Sequence, residues 1–438
     1  MGEIRIKNCF QVSGNDFFLT SPCPLEEGET SCIFKLSPSS RGWPKAGGGI
    51  TDKANAANLG TIQKIKNPEP KHKKGGLMTK GKLFFAATLL LGGISLVNAQ
   101  LPDVGTAISP TSKEQEALAG LKGKVSGSIV WSTSRVAGKH DLWIMNADGT
   151  NQRPLTKGGN VDWFPRFSPS GSQVVFTRSK VGWVSEMDAE FNDKWDIYTV
   201  NTDGTNEKRA AEDATWATWR PDEKTIVFAR RGKVYTKDLD IKKETLIFDA
   251  EPTFIKKGVI AQEPNMSPDG KCLAMTLRGT MRETGIWNFE RKEWYKTGGG
   301  CQIDWFPSGK KVFRMNEGQG NGGTEVLAFD VDENGKPIEK IEGLSINKKW
   351  RFMDLPGRRS HEYFPKIDQS GQWLVWCATQ VGHEHDLADY EVYIWDINTD
   401  KEKGPVRITF HTGNDRWPDI HTGTIENTAP EAPASAPQ

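Results

Sequence analysis

The sequence predicts an all-β fold: a six-bladed β-propeller of four-stranded antiparallel blades, closed by pairing of the C-terminal strand with the first N-terminal strands. Two observations predict it. The first is a motif that returns five times after residue 160: an aromatic residue, a Pro, a Ser-Pro-Asp-Gly-like turn, then a short apolar run. Its copies begin at Trp163, Trp216, Glu263, Asp304 and Tyr363. A repeat of this period, in a chain rich in turns and β-formers, marks a propeller or solenoid. The second is a mismatch at the ends. Ser128–Thr133 reads as the second strand of a blade with no first strand before it, and Asp415–Ile420 is a spare first strand. Pairing the two leaves six complete blades and no open edge.

Each repeat divides into four strands, because turn signals fall at matching offsets and the periodicity between them is two. The Pro motif occupies the first strand. The second strands are expected at 174–177, 225–229, 272–275, 311–314 and 373–377, and the third at 141–145, 195–200, 285–288, 325–329 and 391–395. The turns Asn146-Ala-Asp-Gly-Thr150, Asn201-Thr-Asp-Gly-Thr205 and Asp332-Glu-Asn-Gly335 close a hairpin to a short fourth strand, such as 153–156 or 406–410. Gly after Asp or Asn supplies the positive φ that such a turn needs.

The run Asp141-Leu-Trp-Ile-Met-Asn-Ala-Asp-Gly-Thr-Asn151, with Pro154-Leu-Thr156 and Trp163-Phe-Pro-Arg-Phe-Ser-Pro-Ser-Gly171, resembles the TolB-type, WD40-like PD40 propeller repeat. The resemblance covers residues 127–423. It implies a fold more firmly than a function, since propellers host unrelated tasks. TolB proteins carry a separate α/β domain before the propeller, and residues 100–126 are too few for one. In that family the propeller contacts the peptidoglycan-associated lipoprotein at the mouth of its channel.

Basic Met78–Lys82, apolar Leu83–Val97 and Asn98-Ala99 have the three regions of a secretory signal, with cleavage after Ala99. The apolar run is short for a membrane-spanning helix. The expected organisation is therefore an upstream mis-start or disordered extension at 1–77, a signal peptide at 78–99 and a linker at 100–126, followed by the propeller at 127–423 and a disordered Pro/Ala tail at 424–438. The linker includes a short helix at 112–121 capped by Ser112. Export places the protein in a bacterial periplasm or outside the cell, with no transmembrane span in the mature chain.

A formal net charge of +1, with charges interspersed, argues against a nucleic-acid partner. Past residue 77, the remaining cysteines are Cys272, Cys301 and Cys377, an odd set read as small buried hydrophobes rather than a disulfide framework. Tryptophans on the strands read as packing between blades, whereas Trp183 and Trp350, on loops, could stack on a carbohydrate.

Loops before each first strand, and between second and third strands, emerge on one face around the channel mouth. This sorts the polar residues. His361, His383, His385, Asp386 and Asp389 form a metal-ligand candidate set, for which Ca²⁺, Zn²⁺ or Mn²⁺ is the divalent cofactor. The Gln-x-x-His-x-His spacing at 380–385 resembles ligands of oligogalacturonate lyase propellers, but it sits in a different loop. Asp162, Glu362 and Asp415, with Lys349, Arg351, Arg358 and Arg359, are the binding candidates at the mouth. Exposed loops also collect such residues because water solvates them. No Gly-x-Ser-x-Gly, His-Glu-x-x-His or phosphate loop occurs. The sequence thus favours a monomeric, non-catalytic scaffold for a protein or glycan ligand, with a metal-dependent polysaccharide lyase or hydrolase as the alternative.

Overall fold

In a computed structural model the chain divides into two units, residues 1–92 and 93–438. The structure describes residues 105–136, 139–186, 192–318, 320–339, 350–380, 385, 386 and 388–423, together with the backbone of a hairpin, Phe10–Ser13 with Asp16–Leu19. The expected signal peptide and C-terminal tail lie outside the described residues. Among the described residues no helix is long and apolar enough to cross a membrane.

Six four-stranded antiparallel sheets make up the second unit. Their first strands are Asp162–Phe167, Thr215–Trp219, Val259–Met266, Cys301–Trp305, His361–Ile367 and Asp415–Thr422. These touch their neighbours in a closed ring, so they line the axis and the fourth strands face outward. Asp415–Thr422 pairs antiparallel with Gly127–Val136, completing the first blade from the two ends of the propeller. Blades are numbered here from that one.

The recurring Pro motif has one local cause. In every first strand the register skips, so that two residues oppose one. This is a β-bulge, which bends a strand and re-aims side chains. The first bulge residue is left-handed in all six blades: Phe164, Trp216, Glu263, Gln302, Phe364 and Trp417, with φ between 50° and 59°. Pro follows in four of them, as Pro165, Pro264, Pro365 and Pro418. A residue without an N–H costs nothing where the ladder has no partner for it.

The turn after the bulge closes with residue-to-residue backbone bonds of the same pattern, Gly171 N to Ser168 O at 2.8 Å and Gly270 N to Ser267 O at 2.9 Å. Gly171, Gly270, Gly309 and Gly371 hold φ of 68–75° there, and in blade three Glu223 does so at 60°. The expected outer strands are shorter than the motif. They end at Pro154 and Arg407, and the Thr of Pro-Leu-Thr and Arg-Ile-Thr turns inward. Thr156 Oγ1 accepts from Leu142 N at 2.9 Å and donates to Asp162, while Thr409 Oγ1 accepts from Val392 N at 2.8 Å and donates to Glu391.

The helix spans Ser112–Ala119, and its cap is Thr111 rather than Ser112. Thr111 accepts from Glu114 N while Glu114 Oε2 accepts from Thr111 N at 2.8 Å, a reciprocal box that Ser112 cannot form with this spacing. Leu118, Leu121 and Val125 pack with Ile129, Val392 and Ile408 over the seam between blades one and six. The three described cysteines are buried and free, and burial pushes their thiols up, to about 11 for Cys272 and about 12 for Cys377. Trp131, Trp163, Trp195, Trp376 and Trp417 are fully buried.

Candidate functional site

The bulges aim Phe164, Trp216, Glu263, Gln302 and Phe364 at a small axial cavity. Phe164 and Trp216 stack at 3.6 Å between centroids. Two residues further along each strand stands a second ring: Asp419, Arg166, Thr218, Asn265, Asp304 and Lys366 in blade order. Its two cations face two carboxylates, with Lys366 paired to Asp304. Burial pulls the Lys366 ammonium down and pushes the Asp419 carboxyl up, the second offset by Arg166. This neutral ring was missed in the sequence. Its signal was available, since charge recurs at one offset from the bulge in four of six repeats.

Toward the mouth, the channel is roofed by aromatic rings. Trp163, Tyr363, Tyr390 and Trp417 cluster with Phe164 and Phe364, and Trp183 packs on them from the blade-two loop. Arg416 is buried among these rings, its guanidinium 4.0 Å from the Trp417 centroid and 4.9 Å from Tyr390. Its charge is met by Glu186, Nη2 to Oε2 at 2.9 Å, and Glu186 also bonds His385 Nδ1 at 2.6 Å. Arg416 Nη1 and Asn414 Nδ2 donate to the His385 carbonyl at 2.6 and 2.7 Å. Burial alone would raise the Glu186 carboxyl, but the Arg416 and His385 charges outweigh it and hold it at about 2. Ser185 donates to Asp386, so loops from blades two and six are tied over blade one.

The structure distributes the expected site residues among three settings. Asp162, Glu362 and Asp415 are buried at equivalent positions, two before the bulge residue, where Asp162 and Asp415 tie strands within their own blades and Glu362 ties blade six to the segment that follows blade five. Asp162 accepts from Arg178 Nε at 2.6 Å, Asp415 from Arg135 Nη2 at 2.7 Å and Trp131 Nε1 at 3.2 Å, and Glu362 from Leu355 N at 2.7 Å. Burial pushes the Glu362 carboxyl well up. Arg351 is spent on Glu325 at 2.5 Å and Asp354 at 3.1 Å, and Arg359 on Asp389 at 2.5 Å. Among the described residues of the set, Arg358 and His361 line an open cleft between blades five and six, with Asn321, Gly322, Gly357, Ser360 and Gln380.

His383 and Lys349 lie outside the described residues. Of the metal-ligand candidates that are described, His385, Asp386 and Asp389 are engaged by Glu186, Ser185 and Arg359. Among the described residues no three His, Cys, Asp or Glu side chains converge as a metal-binding group. A second rim feature is the patch of Lys180, Val181, Trp183, Val184, Ser185, Asp193 and Lys194 over blade two, where Val181 is 80% exposed.

No protein-family model matches the sequence, and no curated protein matches it. Among solved structures, the chain is similar to TolB from Acinetobacter baumannii (14% identity, 70% of this chain and 69% of that one, TM-score 0.46). It is also similar to a putative TolB from Agrobacterium tumefaciens (16%, 67% and 92%, 0.43) and to an oligogalacturonate lyase in complex with manganese (13%, 62% and 72%, 0.37). By its own strand topology the chain is a six-bladed β-propeller.

Proposed function

We propose that this chain is an exported, non-catalytic scaffold that presents the mouth of its propeller to a protein or glycan ligand. The observation that carries the reading is the division of labour at the mouth. Its buried and half-buried ionisable groups are locked to one another, as in Arg416–Glu186–His385 and Arg359–Asp389, which makes a rigid rim. The cleft beside them is open and carries Arg358, which has no carboxylate partner among the described residues, flanked by the amides Asn321 and Gln380. A guanidinium and amides on a preorganised rim suit recognition of carbonyl, carboxylate or hydroxyl groups.

The test is retention of glycan and protein panels on the immobilised full chain, beside Arg358→Ala and Trp183→Ala variants. Retention that falls at least tenfold in a variant with unchanged melting temperature supports the reading. Retention indifferent to both variants removes the mouth as the site. Metal analysis after dialysis against mixed divalent ions, with a His383→Ala/His385→Ala variant, addresses the alternative. Stoichiometric metal lost in that variant would replace the scaffold with a metal-dependent polysaccharide lyase or hydrolase.

A further inference from the structure

The mouth-side rim over blades three and four carries an apolar residue that the fold itself disfavours. The short helix Ala250–Phe254 is closed by Ile255 at φ 50° and ψ 42°, whose N–H turns back to Glu251 O and Pro252 O. That left-handed cap position belongs to Gly, and a β-branched side chain there is strained. Ile255 is nevertheless 94% exposed, more than any other large apolar residue described. Neither its backbone conformation nor its burial accounts for it, and a strained outlier that stability would not keep is a pointer to function.

The surroundings say what it meets. Lys256 and Lys257 follow directly and are exposed. Thr280 N donates to Gly258 O at 2.9 Å and Thr280 Oγ1 to Lys257 O at 2.8 Å, which brings the blade-four loop with Met281 and Arg282 alongside. Lys256, Lys257 and Arg282 have no carboxylate partner among the described residues. The acids nearby are occupied: Glu251 Oε1 accepts from Gly258 N at 2.7 Å, Asp249 pairs with Lys233 at 2.6 Å, and Glu283 with Lys296 at 2.5 Å. Arg231 on the adjoining turn adds charge and contacts Asp213 at 3.4 Å.

The geometry points to a lipid-surface contact: Ile255 enters the boundary between headgroups and acyl chains, while Lys256, Lys257 and Arg282 meet anionic phosphates. A projecting apolar tip beside three cations, which outnumber Glu251 as the neighbouring carboxylate outside an ion pair among the described residues, is the pairing that interfacial anchors use. Each cation near an anionic surface strengthens binding about fivefold at low salt.

The experiment is co-sedimentation of the full chain with phosphatidylcholine vesicles, with and without about one-third phosphatidylglycerol. Binding to the anionic vesicles alone, weakened by salt, is expected. Lys256→Ala/Lys257→Ala/Arg282→Ala together lower the partition about a hundredfold. Ile255→Gly lowers it about tenfold through lost apolar contact, and at the same time raises the melting temperature, because Gly adopts the cap conformation freely. That opposed pair of effects separates a lipid contact from misfolding. Equal binding to both vesicle types, binding to neither, or Ile255→Gly binding like the parent overturns the inference. Binding to neither would leave an acidic protein as the occupant.

Discussion

Arg416 and Glu186 lie 230 residues apart in sequence and meet in a buried pair that fastens the inner strand of blade one to a loop of blade two. Removing one partner of a buried pair strands the other charge, at a cost of about 3–5 kcal/mol. Arg416→Met is expected to lower stability by that order in chemical denaturation. Glu186→Gln, which keeps the shape and a hydrogen bond, is expected to cost less. Equal stability of Arg416→Met and parent would show that the rings alone hold the roof.

The same pair predicts an acid response. With its folded pKa at about 2 against an ordinary 4.5, Glu186 contributes stability that is present above about pH 4.5 and lost as pH falls toward 2. The contribution is on the order of 3 kcal/mol. Glu186→Gln should flatten the pH–stability curve over that window, and a curve parallel to the parent's would remove Glu186 from the acid transition.

Asp141 works in the opposite sense. Burial and then the neighbouring Asp162 push its carboxyl up to about 7, and its Oδ1 has no hydrogen-bond partner. A raised carboxyl costs nothing below its unfolded value and destabilises progressively as pH rises through 7. Asp141→Asn is therefore expected to stabilise at pH 8, by on the order of 2 kcal/mol, and to be neutral below pH 4. Calorimetry at the two pH values checks the sign.

At the turn after the bulge of blade three, Glu223 holds a left-handed conformation that four other blades give to Gly. Glu223→Gly should add about 1 kcal/mol, seen as a higher melting temperature. A lower one would show that the entropy of an added Gly outweighs the relieved strain.

Thr409 joins the outer strand of blade six to both the Val392 amide and the buried Glu391 carboxylate. Thr409→Val keeps the shape but leaves the Val392 amide and Glu391 Oε2 without this partner, while Glu391 Oε1 keeps Arg407 and the His411 amide, so a loss of about 1–3 kcal/mol is expected. The equivalent Thr156→Val should behave alike, and a difference between them would measure how far the outer edges of the blades differ.

The blades were legible because each is announced by its own turn chemistry, and the spare strand at Asp415 identified the closure by counting. The bulge was not, since left-handed φ at Phe164 or Trp417 follows from ring geometry rather than from the preference of an aromatic residue. The mouth was legible only as a surface. Asp162, Glu362 and Asp415 looked like exposed loop carboxylates, but they begin strands and turn inward to Arg178, Leu355 and Arg135. Arg416 carried no local signal, because the Glu186 that compensates it comes from another blade. The triple Gly298-Gly299-Gly300 is the space into which buried Arg314 fits, since a Cβ at Gly298 would lie 2.5 Å from its Nη2.

Trp131 Nε1 donates to Asp415 across 284 residues of chain, within the blade made from both ends of the propeller. On a ribosome, the strand Gly127–Val136 emerges early and waits with one flank bare until nearly the whole repeat array has been made. Contacts of such separation slow folding, and an unpaired strand edge is the species that aggregates. The closure therefore sets the order of events: the ring cannot lock before its last strand arrives.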